Sequence, residues 1–289
     1  MPLVAKPQWI AWLLGPSAVA AALLAQFAIA TRTGLLPFDQ SFAAGLDGEW
    51  LTLSATVAGL AAVTSALGGI VASGLVAGSR ARLGIVVLVA VAGLTSLPFL
   101  RGSAREARDV ILAVGGPENS VTVALVVGLG LGALTAGAII SAGDWRPAAA
   151  GLAVTTAALW VLVAISGKTS AGLAPLGLPG DLLRAVNGSG PGWWLPLPAV
   201  LWVVIGGASA LAARSFTTSR VSLLLSGVLG AVLVCLSYFA AWPGEPYVDH
   251  LTVHTSAFSL TRMLVGGALL GTGIVSLAAV RTNDRAQTT

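Results

Sequence analysis

The chain has 289 residues, of which 56% are hydrophobic and only 9% charged, with a formal net charge of +4. A water-soluble domain carries about 25% charged residues. A chain this poor in charge cannot cover itself in water, so lipid must do so, which excludes a soluble enzyme domain. It also lacks the basic, aromatic-interleaved face of a nucleic-acid binder. Its single cysteine, Cys235, rules out an internal disulfide and argues against a thiolate metal centre.

A bilayer core about 30 Å thick takes about 20 apolar residues per helix. Runs of that kind lie at residues 9–30, 51–78, 83–100, 121–141, 148–165, 193–213, 221–241 and 260–280. The expected fold is therefore all-α: a polytopic integral membrane protein with eight transmembrane helices in one domain, residues 1–289. Ala28-Ile29-Ala30 has the small-x-small pattern of a signal-peptide cleavage site. The run is long for a signal peptide, however, and removing it would spoil the series. It is read as a retained helix. Trp9, Trp12, Trp50, Trp193, Trp194 and Trp242 fall at run ends, as an aromatic belt does.

The connectors alternate. Those after the second, fourth and sixth runs are short and carry Arg80, Arg82, Arg146, Arg214 and Arg220. The others are long and hold most of the acidic residues. Arginine density beside helix ends sets orientation, so both termini and the short turns are expected in the cytoplasm. Lysine is nearly absent (Lys6 and Lys168) while Ala, Gly, Leu and Val dominate. That bias suits a GC-rich bacterial genome, hence a bacterial cell membrane.

Arg80, Arg146, Arg214 and Arg281 stand 66, 68 and 67 residues apart. A fixed period is the first thing to seek in a chain, and it suggests four helix pairs at residues 1–80, 81–146, 147–214 and 215–281, with a tail at 282–289. The even-numbered runs are the richer in glycine, with Gly68 and Gly69; Gly128, Gly130, Gly132 and Gly137; Gly206 and Gly207; Gly266, Gly267 and Gly271, while their odd neighbours carry less. In lipid, helices come together through small residues that let backbones touch. The even helices are therefore expected to form an inner ring, with their odd neighbours outside against lipid.

Each long connector also holds an aspartate ahead of a short apolar piece: Asp39, Asp109, Asp181 and Asp249. Such positions suit N-caps of short outer helices, and equally a ring of carboxylates around a cation path. Asp249, His250 and His254 form a small group with ligand-like character, because a spacing of four puts two imidazoles on one helical face. Arg101, Arg105 and Arg108 recur at helical spacing and suit lipid phosphates, but Glu106 and Asp109 sit among them, as on a solvated face. Gly128-x-Gly130-x-Gly132 lies inside an apolar run with no strand before it, so it is not a nucleotide loop.

No Asp, Glu, Lys, Arg or His falls in the middle of any run. Ion-coupled carriers usually place such residues there. No nucleophile, base and acid converge as a hydrolase would require, so no enzyme activity and no cofactor is expected. Two functions remain. The first is a transport-type bundle, a channel or permease for a small solute along a Gly-lined axis. The second is a non-enzymatic accessory subunit of an envelope complex. The apparent repeat favours the first and the clean spans the second; transport is taken as the expectation. The partners such faces suit are the bilayer, another membrane protein or a second copy of the chain.

The orientation is testable. Arg80→Cys, Arg146→Cys, Arg214→Cys and Arg281→Cys should each resist an impermeant thiol reagent in intact cells. Labelling at all four would reverse the topology.

Overall fold

The computed structural model describes residues 8–39, 41, 47–110, 115–166, 197–240 and 264–278. Helix α1 (Gln8–Arg32) is followed by α2 (Asp47–Ser73) and α3 (Ser79–Gly93). One 3-10 turn, Leu94–Ser96, joins α3 to α4 (Leu97–Ala104). Then come α5 (Pro117–Ala142), α6 (Arg146–Ser166), α7 (Leu197–Ala213), α8 (Arg220–Ala240) and α9 (Leu264–Ala278). Among the described residues no strand occurs; an isolated parallel bridge pairs Ser41 with Arg108.

Among the described residues six helical segments are long and apolar enough to cross a membrane, with α3, the 3-10 turn and α4 acting as one: Ser79–Ala104. Shorter apolar helices, Ala199–Ala213 and Leu264–Ala278, fall within the sixth and last expected runs. Large apolar side chains point outward over the bundle, among them Leu134, Val221, Leu270 and Leu277. Such an outer surface suits lipid. The chain is a membrane-embedded helical bundle.

Two boundaries differ from the sequence reading. The turn after α2 is only residues 74–78, and Gly78, at φ 89°, is the N-cap from which α3 starts. Arg80 and Arg82 therefore stand in the first turn of α3. Helix α5 begins before its apolar run, because Pro117 at the first position has its φ already set for a helix. Residues 28–30 lie inside α1, where Leu23, Phe27 and Ala30 are fully buried.

The expected inner ring is replaced by a central helix. Helix α2 packs on α1, α3, α5, α6 and α8, most extensively on α5. Its residues 53–66 are buried without a break. The reason is composition: α2 is small and apolar on every side, so it accepts neighbours all round. Helix α7 instead packs on α6 and α8.

Glycine sets the closest approaches. Gly128 and Gly132 of α5 lie against the main-chain carbonyls of Ala58 and Ala62 in α2; a Cβ at Gly132 would stand 2.5 Å from the Ala62 oxygen. Helices α9 and α7 meet in the same way. A Cβ at Gly267 would stand 2.5 Å from the Ala199 oxygen, and Gly271 lies against the Val203 carbonyl. Gly206 answers from α7, with its missing Cβ 2.5 Å from the Ala268 oxygen. Gly207 faces the Gly271 carbonyl, Gly68 faces Val19, and Gly69 faces Ala136. Gly137 has only ordinary contact with Leu83. Gly130 and Gly266 open onto empty space. Each residue turns about 100° round a helix, so both point away from the faces that Gly128 and Gly267 pack.

This geometry separates two substitutions. Gly128→Leu should unfold the bundle in detergent at lower temperature, with a loss of at least about 1–3 kcal/mol from overpacking. Gly130→Leu should leave the melting temperature unchanged. Equal effects would remove the close α2–α5 approach from the account.

Candidate functional site

Polar side chains inside the bundle are mostly hydroxyls that bond their own helix. Ser73 donates to Ile70 O at 2.7 Å, Thr156 to Leu152 O at 2.7 Å, Ser237 to Leu233 O at 2.8 Å and Thr272 to Ala268 O at 2.6 Å. Each hydroxyl is thus satisfied where it stands.

Gln26 is different. Its side chain is fully buried between spans, and its Oε1 accepts a bond from Thr64 Oγ1 at 3.0 Å. Its Nε2 finds no hydrogen-bond partner among the described residues. A buried donor left unpaired costs about 1–3 kcal/mol. The Trp202 indole N–H on α7 is also buried and unpartnered among the described residues. The sequence reading passed over Gln26 because it searched the spans for charge and for hydroxyls. A lone amide in an apolar run was the available signal.

The second candidate lies at the end of the bundle away from the short turns. Of the described short turns, those at residues 74–78 and 143–145 sit together: Trp145 covers Gly74. At the opposite end, the chain after α1 turns at Gly34, φ 75°, and folds back over the helices. Leu36 and Phe38 are buried there. Phe38 meets the Trp50 ring edge-on at 6.1 Å, and Trp50 Nε1 donates to Ser120 Oγ at 3.1 Å. Ser41 Oγ donates to Asp109 Oδ2 at 2.7 Å, beside the Ser41–Arg108 bridge. The first two long connectors are therefore tied to each other across α2 and α5.

Asp109 stands at φ 55° and holds Ser41, and Asp39 is exposed. Asp181, Asp249, His250 and His254 lie outside the described residues. Neither the acidic ring nor the histidine group therefore has a geometry.

The arginines divide. Helix α4 ends at Ala104, so Arg108 does not continue the face of Arg101 and Arg105. Those two converge on one carboxylate, and it is Glu118 at the start of α5 rather than Glu106 or Asp109. Arg101 Nε donates to Glu118 Oε2 at 3.1 Å, and Arg105 Nε to Oε1 at 2.8 Å. Bonding to Glu118, helped by its charge, holds the Arg105 guanidinium above its ordinary pKa. Beside the pair lies an open groove of about 390 Å³ lined by Leu97, Pro98, Arg101, Gly102 and Arg105.

The Gln26 pair yields a stability prediction. Gln26→Leu deletes one hydrogen bond and one unpaired donor together, and Thr64 can turn to its own helix carbonyls. The melting temperature should hold or rise, with any loss below about 1 kcal/mol. A large drop would mean that the amide has a partner in the membrane.

Comparison with protein-family models, curated proteins and solved structures finds no match.

Proposed function

We propose that this protein is a non-enzymatic, membrane-embedded accessory subunit that lends packed helical faces to a larger assembly in the cell envelope. The observation that carries this reading is α2. It runs through the middle of the bundle, where a channel needs water, and its residues 53–66 are buried without a break. The buried hydroxyls quoted above bond their own backbone, so they offer a solute no row of free donors. No ionisable residue sits at mid-span for a carrier to use.

The repeat is recast on the same grounds. Gly128 and Gly132 face Ala58 and Ala62 as Gly267 and Gly271 face Ala199 and Val203. Both sets keep a spacing of four, and the second follows the first by about 140 residues. The unit we propose is a four-span block used twice, α1–α5 and then α6–α9, in place of four helix pairs.

A second reading, transport of a small solute, keeps support from the buried groups without a partner among the described residues: the Gln26 amide, the Trp202 indole N–H and Ser276 Oγ. Native mass spectrometry of the protein gently extracted from its host membrane tests both. A stoichiometric partner is the expected result. A lone protomer or homo-oligomer, together with solute flux in liposomes that Gln26→Leu abolishes, would replace the scaffold by the transport reading.

A further inference from the structure

Helices α3 and α4 carry a continuous outward stripe. Leu83, Val87, Val91, Leu94 and Pro98 follow one another at steps of three or four residues and are all exposed. Val87 is 60% exposed and Val91 54%. A rise of 1.5 Å per residue makes the stripe about 22 Å long, enough to line one leaflet of a core about 30 Å thick. It ends in the groove of Leu97, Pro98, Arg101, Gly102 and Arg105. A Cβ added at Gly102 would meet nothing within 4 Å, so the groove is open there.

At the head of the stripe the guanidiniums outnumber the carboxylate they touch. Two guanidiniums share the single carboxylate of Glu118, through Nε and Nη2 of each. Each guanidinium carries five donors, and both Nη1 groups stand outside the bonds to Glu118. Within that contact two arginines less one glutamate leave one positive charge where an apolar face meets water, while Arg108 adds one and Glu106 and Asp109 subtract two along the connector that follows. An apolar track ending in a forked cation is complementary to a molecule with an acyl tail and an anionic phosphate head.

We propose that the α3–α4 face is a binding site for an anionic membrane phospholipid, its phosphate held by Arg101 and Arg105 and one acyl chain laid along Leu94, Val91 and Val87. Glu118 competes with the phosphate for the two guanidiniums. The site stands independently of the scaffold reading.

The test is native mass spectrometry of the full chain in detergent, titrated with dioleoyl phosphatidylglycerol and, in parallel, dioleoyl phosphatidylcholine. The anionic lipid should be retained in preference. Arg101→Gln and Arg105→Gln should each weaken that retention about fivefold. Gly102→Leu should weaken it with both arginines present, by filling the groove. Glu118→Gln should strengthen it, by freeing both guanidiniums. Several results would overturn the proposal: equal retention of the two lipids, no change in the double arginine variant, or loss of lipid on Glu118→Gln. Inorganic phosphate alone is the control. Binding of phosphate with the same arginine dependence would make this a site for a free anion and not for a lipid.

Discussion

The bundle depends on backbone meeting backbone between α2 and α5. In water, apolar side chains would drive these helices together. In lipid that drive is absent, and association rests on contact area and close fit. Gly128 and Gly132 remove the side chains that would hold the helices apart, and the Ala58 and Ala62 carbonyls fill the space. With that distance fixed, α2 is walled in by α5 on one side and by α1, α3, α6 and α8 on the others. The same solution joins α7 and α9. Both seams use one chemistry, as does the approach of Gly151 in α6 to the Ser226 carbonyl in α8.

Polar groups are sorted by the same constraint. A hydroxyl inside lipid can bond the turn beneath it and needs no neighbour, so Ser73, Thr156, Ser237 and Thr272 are harmless at the packing faces. An amide has two donors and an acceptor and cannot be satisfied that way. Gln26 is bound on one side only. Charge is kept to the ends. There Arg101 and Arg105 gather on Glu118, and Ser41 on Asp109, where water reaches them. The end opposite the short turns therefore carries the paired ions and the folded-back connector.

Much of the fold was legible because lipid imposes a simple rule. Length and apolarity alone marked six crossings among the described residues, out of the eight expected, and Gly128, Gly132, Gly206, Gly267 and Gly271 marked seams where Gly130 and Gly266 did not. What the sequence could not convey was which face of each helix met which neighbour. Gly130 and Gly128 read alike in a string of letters, and only rotation about the helix tells them apart. The ring of even helices failed for a related reason. Helix α2 is so uniformly small that no stripe on it names a preferred side, and it took the centre. The arginines were legible as a group but not as a pair. Their partner lies beyond a connector, and Arg108 leaves the row because α4 stops at Ala104. Gln26 was missed because amides were never weighed.

The central place of α2 has a consequence for how the chain is made. Synthesis proceeds from the N-terminus, so α2 enters the bilayer long before α5, α6 and α8 exist to enclose it. In that interval its Ser, Thr and Gly residues face lipid or the insertion machinery. The half-made protein therefore carries on the outside the helix that the finished bundle buries most completely. Each later helix that arrives hides one more side of it. The enclosure of α2 is therefore complete only once α8, Arg220–Ala240, has been made.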